Sequence, residues 1–253
     1  MELSVLGVLL AFLLVAVAAV MFRSAGCSEA LAAYGIRPQD SVLLVVAHPD
    51  DEAMFFWPTL LGLRSAGVRL SVLCLSTGNF DGLGAVRRAE MQRSCASLGI
   101  VGDALKVVDV PELQDGPRSW EEAEVAKVVK EHLHSTAARF VLTFDEQGVS
   151  GHPNHVSTSR GVRVAAARSS EAPPCVLMLD SVSFAVKYLG ALHLLTASRS
   201  SFSCSNLLAC LSALSVHRSQ LVWYRILFTM FSSYSYVNAY TEVALTKLKD
   251  RKT

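Results

Sequence analysis

The sequence lacks several signatures that would otherwise direct its reading. It has no C-x-x-C pair, and its cysteines, at positions 27, 74, 95, 175, 204 and 210, follow no regular spacing. That argues against a disulfide framework and for a reducing compartment. No N-x-S/T acceptor occurs, since Asn79, Asn154, Asn206 and Asn238 are each followed by other residues, which weighs against a lumenal or secreted domain. There is no basic block, and 23 Lys and Arg nearly balance 22 Asp and Glu, so nothing electrostatic favours nucleic acid. A G-x-S-x-G elbow is missing too, which speaks against a serine hydrolase. Repeats and low-complexity tracts are absent. With 51% apolar and 18% charged residues among 253, the composition excludes a disordered chain and suits one sizeable α/β domain plus an anchor.

Charge is also missing from Leu3 to Phe22, where Ser4 is the only clearly polar residue. As a helix, such a run spans ~30 Å, the hydrocarbon thickness of a bilayer. A cleaved signal peptide is the rival reading. Against it, the leading flank carries Glu2 and no Lys or Arg, and the apolar run exceeds the usual ~7–15 residues. The expected organisation is a transmembrane anchor over residues 1–23, a polar connector over 24–40 and one domain over 41–253. Arg23 and Arg37 follow the anchor and no basic residue precedes it, so the positive-inside rule places the domain in the cytosol.

Within the domain, apolar β-branched runs alternate with helical segments. Ser41 to Ala47 and Arg69 to Leu75 read as strands buried on both faces. A weaker strand follows at Leu105 to Val110, then Arg139 to Phe144, and a fifth at Cys175 to Leu179. Helices are expected from Asp51 to Ala66, from Gly84 to Leu98, from an N-cap at Ser119 with Glu122 as capping-box partner to about His134, and from Pro153. This alternation predicts an α/β fold, a Rossmann-like, mostly parallel sheet flanked by helices. Ligand sites in such folds lie beyond the carboxyl ends of the strands, near the switch in strand order.

Two clusters fall at that edge. His48-Pro49-Asp50-Asp51-Glu52 follows the first strand, and Gly151-His152-Pro153-Asn154-His155 follows the fourth. Imidazole and carboxylate suit Zn²⁺, and a catalytic site needs three protein ligands with one open position. His48, Asp51 and one histidine of the second cluster meet that count. Taken singly, each cluster has a bland reading: the carboxylates could cap a helix, and H-P-x-H could be a solvated turn. Their joint placement favours a metal site.

A-H-P-D-D-E after one strand, paired with G-H-P-N-H after a later one, resembles the LmbE-like or PIG-L-type zinc deacetylases. Gly78-Asn79, Gly84-x-x-Arg87-x-x-Glu90, Thr143-Phe144-Asp145 and His217-Arg218-Ser219-Gln220 extend the resemblance over roughly residues 41 to 240. It implies His48, Asp51 and His155 as metal ligands, Asp50 as general base and His152 as stabiliser of the oxyanion. The metal implied is Zn²⁺, although Fe²⁺ and Co²⁺ suit the same donors. Together with the anchor, the chain is most similar to the family's eukaryotic branch. That branch implies a glycolipid substrate, N-acetylglucosaminyl-phosphatidylinositol, and a step of glycosylphosphatidylinositol-anchor synthesis. It also implies a single-pass protein of the endoplasmic reticulum membrane with its domain in the cytosol. A deacetylase of another N-acetylglucosaminyl glycoside is the alternative. A non-catalytic binding protein is a further one, against which all the expected ligands and the base are present.

Four residues are expected near the substrate: Arg87, Asn154, His217 and Gln220. Arg87 suits a phosphodiester because a guanidinium matches phosphate geometry; its bland reading is an exposed helix charge paired with Glu90 or a neighbour. Asn154 stands where many relatives carry an acid, and is expected to orient His152 by hydrogen bonding. From Asn206 to Val237 the chain is apolar and aromatic, interrupted by Arg218 and Arg225. Core packing is the favoured reading there, with contact to a membrane surface as the alternative.

Overall fold

The structure, a computed structural model, describes residues 26–169 and 173–245, together with Gly7, Ala11 and Leu14. Apart from those three helical positions, the expected anchor lies outside the described residues. Among the described residues, no helix is long and apolar enough to cross a membrane.

Eight strands are present among the described residues: β1 (Ser41–Val46), β2 (Arg69–Cys74), β3 (Leu105–Val107), β4 (Phe140–Phe144), β5 (Cys175–Leu179), β6 (Phe202–Ser203), β7 (Val237–Asn238) and β8 (Tyr240–Glu242). The principal helices are α1 (Gly26–Tyr34), α2 (Asp51–Phe55), α3 (Trp57–Ser65), α4 (Gly84–Ser97), α5 (Glu122–Thr136), α6 (Pro153–Ala167), α7 (Leu207–Val216) and α8 (Trp223–Phe231). The main sheet runs β3-β2-β1-β4-β5-β8, parallel except for β8, which pairs antiparallel with β5 at the edge. β1 and β4 are its central strands, and their continuous aliphatic and aromatic runs are buried, as strands covered on both faces must be. Helices α5 and α6 pack on each other and on β1, while α3 and α4 lie against β2 and β3. The chain leaves β1 for β2 in one direction and returns to place β4 on its other side. The strand order therefore reverses between β1 and β4, which opens a crevice at their carboxyl ends.

Three local expectations are corrected. The helix expected over Asp51 to Ala66 breaks at Phe56, because Pro58 has no N–H to continue the ladder back to Met54. Helix α5 begins at Glu122 with Glu121 as its cap and no side-chain cap bond, so Ser119 and Glu122 form no capping box. The reason is tertiary: Trp120 is buried, its backbone N–H donates to Ser157 Oγ at 3.0 Å and its indole Nε1 to Gln114 O at 2.8 Å. That anchorage holds Ser119 and Trp120 in an extended lead-in. The stretch expected as a polar connector contains α1, whose Ala30 belongs to the core and whose Tyr34 hydroxyl accepts from Tyr240 N at 2.9 Å. Cys74 and Cys95 are buried as expected, and all six cysteines are free.

Candidate active site

β1 delivers the first cluster. As the strand ends, Asp51 folds its carboxylate back beneath it, and Oδ2 accepts from Ala47 N at 3.1 Å and His48 N at 2.8 Å. Asp50, the cap of α2, has φ 108°, a left-handed backbone that a non-glycine residue rarely holds and that costs about 1–3 kcal/mol. Its surroundings hold it there. Glu52 Oε2 accepts from Asp50 N at 3.0 Å, and the Asp50 carboxylate meets Arg87 at 3.5 Å and forms a close ion pair with Arg225.

β4 delivers the second cluster. Asp145 Oδ1 accepts from Gln147 N and Gly148 N, both at 3.0 Å, closing a turn just after the strand. Gly148 has φ +62°, and a Cβ there would come within 2.8 Å of the His155 Cβ; only glycine suits both demands. Gly148 O in turn faces His155 Nδ1 at 3.1 Å. His152 caps α6, with Pro153 at its first position, and His152 Nδ1 accepts from Asn154 N at 3.3 Å. The Phe144 ring stacks on His155 with centroids 4.1 Å apart.

The two clusters converge. One ligand nitrogen from each of His48, His152 and His155 lies within 4.8 Å of the others. Asp51 reaches into the same space, with Oδ1 3.2 Å from His155 Nε2 and Oδ2 3.7 Å from His48 Nδ1. Hydrogen bonding separates the three rings. His48 Nε2 faces Asn154 Oδ1 at 3.0 Å and Asp115 Oδ1 at 3.1 Å, both acceptors, which places a ring proton on Nε2 and turns Nδ1 toward Asp51. His155 donates from Nδ1 to Gly148 O, which turns Nε2 toward Asp51 Oδ1 and the shared space. His152 is the reverse: its Nδ1 accepts, so its neutral ring carries a hydrogen on Nε2. Two imidazole nitrogens and one carboxylate, each oriented from behind, are a donor set that suits a divalent cation such as zinc once the rings give up their protons.

Electrostatics divide the neighbouring carboxylates. Burial raises Asp50 above the ordinary carboxylate value, although Arg225 and Arg87 oppose it. Burial also acts on Asp51, but His155 and His48 outweigh it and hold that group well below the usual range. Adjacent carboxylates driven apart in this way suit different roles, one holding charge and one carrying a proton. Burial, with His48 and His155 adding to it, lowers His152 to about 4, so its ring is neutral near pH 7.

A second layer supports this one, and much of it was not foreseen. Asp115 links His48 to Arg87, whose Nη1 lies 3.4 Å from Asp115 Oδ2. Glu52, fully buried, meets His217 Nε2 at 2.6 Å. Glu90 accepts from Ser219 N at 2.8 Å and from Ser219 Oγ at 2.6 Å. The distant His217-Arg218-Ser219-Gln220 segment is thus pinned to α2 and α4. Asp115 and Arg225 have no signal of their own in the sequence; both arrive from segments far from the clusters.

The four substrate-side expectations fare unevenly. Asn154 is fully buried and serves both rings: its backbone N–H donates to His152, as expected, while its side chain holds His48 through Oδ1 and donates from Nδ2 to Arg118 O at 2.8 Å. His217 is fully buried on Glu52, and Gln220 donates to Ser219 Oγ at 3.3 Å; neither lines the cavity. Arg87 does line it, but as a buried clamp: Nη1 donates to Gly78 O at 2.8 Å and Nη2 to Pro49 O at 2.9 Å. Gly78 is glycine for this reason, since a Cβ would come within 2.4 Å of the guanidinium carbon. Of the bland reading of Arg87, the exposure is overturned, since the residue is buried, while the pairing holds with Asp50 and Asp115 as partners.

The site opens into a cavity of about 540 Å³. His48, Asp50, Asp51, Arg87, Asp115, His152, His155 and Arg225 form its polar wall, while Met54, Phe55, Tyr188, Tyr224, Leu227, Phe228 and Phe231 form an apolar one. A larger hollow of about 630 Å³ lies at the opposite edge of β4 and β5, around Tyr34, His134, Arg139 and Cys175. Among the described residues, no group of converging metal donors lies there.

Comparison with known proteins bears on the family and the fold. The family described as PIG-L, GlcNAc-PI de-N-acetylase, matches residues 43–166. The chain is 40% identical over 205 residues to N-acetylglucosaminyl-phosphatidylinositol de-N-acetylase of Bos taurus, covering 78% of this chain and 81% of the relative. It is 33% identical over 239 residues to a Dictyostelium discoideum protein named Probable N-acetylglucosaminyl-phosphatidylinositol de-N-acetylase, covering 80% and 93%. Its fold is similar to that of N,N'-diacetylchitobiose deacetylase from Pyrococcus horikoshii, with TM-score 0.58 and 19% identity over 81% of this chain and 84% of that one.

Proposed function

The chain belongs to the PIG-L family of GlcNAc-PI de-N-acetylases, and from that premise we propose that it hydrolyses the N-acetyl group of N-acetylglucosaminyl-phosphatidylinositol. The products are glucosaminyl-phosphatidylinositol and acetate, a step of glycosylphosphatidylinositol-anchor synthesis. The observation that carries the reading is the convergence at the β1/β4 edge of three imidazoles and the Asp51 carboxylate, with a second carboxylate, Asp50, beside them.

His48, Asp51 and His155 are the residues that would hold a divalent metal, zinc by their donor chemistry. Bound there, it supplies Lewis acidity, which makes water a better nucleophile and polarises the amide carbonyl. Asp50 stands beside that position and takes the proton from the attacking water; its raised pKa suits a group that must then hold the proton. As the C–N bond breaks, Asp50 returns the proton to the departing amine nitrogen. His152, neutral, donates from Nε2 to the oxygen on which negative charge develops. Arg87 and Arg225 both hold the Asp50 carboxylate by its Oδ2, and Arg87 also steadies Asp115 behind His48.

The same reading places the protein as a single-pass component of the endoplasmic reticulum membrane with its domain in the cytosol. The apolar run from Leu3 to Phe22, Arg23 beyond it and the free cysteines support that placement. Acetate release by the purified full chain tests the substrate. The reading expects faster turnover of N-acetylglucosaminyl-phosphatidylinositol than of a soluble N-acetylglucosaminyl glycoside. The opposite preference would replace the glycolipid with the glycoside as substrate.

A further inference from the structure

Helix α8 inverts the pattern of a helix on a soluble protein. Such helices turn their apolar stripe inward and their charges outward. Here Arg225 points inward to the buried Asp50, while Trp223, Tyr224, Leu227 and Phe231 face solvent, Trp223 with 72% of its surface exposed. Phe184, 79% exposed, and Tyr188 extend the apolar surface from a neighbouring turn, with their rings 5.1 Å apart. Tyr188, Tyr224, Leu227 and Phe231 also line the cavity, so its apolar wall runs without a break onto this exposed rim.

Charge points the same way. From Ser181 to Thr241 the chain carries no Asp or Glu, and its basic side chains there are Lys187, Arg199, Arg218 and Arg225. Arg225 is taken up by Asp50, Arg199 by Glu29 and Lys187 by Val149 O, so what this segment offers an anionic surface is the lack of any repelling carboxylate rather than a cationic patch. Exposed Trp, Tyr and Phe side chains with no carboxylate among them suit the headgroup boundary of a phospholipid bilayer. Reach is available as well. The folded domain begins at α1, whose first residue Gly26 is four residues beyond Phe22. That leaves at most about 14 Å of extended chain between the end of the apolar run and the domain.

We propose that the rim formed by α8 with Phe184 and Tyr188 is the surface on which the domain rests against a phospholipid bilayer, so that the cavity mouth opens directly onto the lipid surface. The proposal deepens the glycolipid reading above and rests on it. The sugar headgroup enters along the polar wall while the acyl chains stay in the membrane, which spares the enzyme from extracting them.

Tryptophan fluorescence tests this on the full chain reconstituted in vesicles of phosphatidylcholine and phosphatidylinositol with bromine-labelled acyl chains. Trp57 and Trp120 are buried, so the difference between the wild type and Trp223→Phe isolates Trp223. Its signal is expected to be quenched by bromines near the headgroups and shielded from aqueous acrylamide. Free access of acrylamide without bromine quenching overturns the proposal. Shielding from acrylamide without bromine quenching also overturns it, because a protein surface then covers the rim. As a second readout, Phe184→Ser with Trp223→Ser is expected to lower turnover of the vesicle-borne glycolipid about tenfold. Hydrolysis of the water-soluble headgroup N-acetylglucosaminyl-inositol should stay within about twofold of wild type; equal losses on both substrates would contradict a docking role. A wild type that hydrolyses neither substrate refutes the enzymatic reading separately, since the quenching measurement does not depend on turnover.

Discussion

On one wall of the cavity, His48, Asp51 and His155 are buried and held from behind by Asn154, Asp115, Gly148 and the backbone at the end of β1. On the other, Tyr224, Leu227 and Phe231 make no comparable polar contacts and face solvent. The first wall is a set of interlocked groups in which each member fixes the protonation or direction of another. The second is a surface whose only specification is that it be apolar and aromatic. The difference separates two tasks: breaking an amide demands fixed geometry, whereas meeting a lipid demands area. A substitution on the polar wall should therefore act on every substrate, and one on the apolar wall chiefly on the lipid-linked one.

The largest effect is expected at Asp50. Asp50→Asn removes the proton carrier and keeps the shape, so acetate release should fall about 10²–10⁴-fold, with the loss equal for lipid and soluble substrates. A loss confined to the lipid substrate would erase the distinction between the walls. Behind Asp50, His217→Ala strands the buried Glu52 charge, and should cost about 3–5 kcal/mol in denaturant unfolding. A midpoint unchanged from wild type would show that this pair is not part of the frame. Asn154→Ala removes one of the two acceptors that orient His48, and is expected to weaken metal affinity about tenfold by isothermal titration. The smallest change belongs to the second wall. Phe231→Ala should raise KM for the vesicle-borne glycolipid about threefold and leave stability nearly unchanged, because the ring is already half exposed. A collapse in kcat on soluble substrate would instead join this residue to the chemistry.

The two walls were also unequally legible in the sequence. The strands that place the polar wall are continuous apolar runs, and the residues at their ends are local motifs, so the β1 and β4 clusters could be located from spacing alone. What spacing does not contain is the partner of each side chain. Asn154 follows His152 by two residues yet its side chain serves His48, because the N-terminus of α6 turns it toward the end of β1. Arg225 reads as an interruption in an apolar stretch, and only folding shows it reaching Asp50. Asp115 lies in a loop with no pattern at all. Local rules failed where tertiary burial overrode them: Trp120 displaced the cap expected at Ser119, and Pro58 split a helix that periodicity alone reads as continuous. The aromatic character of residues 206–237 was plain, but its favoured reading as core holds only in part. Cys210 and Leu214 of α7 are buried, whereas α8 turns most of its large apolar side chains outward.

Zinc returned stepwise to the metal-free full chain, with acetate release from N-acetylglucosaminyl-phosphatidylinositol followed at each step, tests the division of labour most directly. The account predicts that wild-type turnover rises from near zero and saturates at about one metal per chain. Asp50→Asn should bind the same equivalent without turning over, and His155→Ala should do neither. Turnover that persists without metal, or an Asp50→Asn protein that cannot hold it, would contradict the separation of metal-holding and proton-carrying residues.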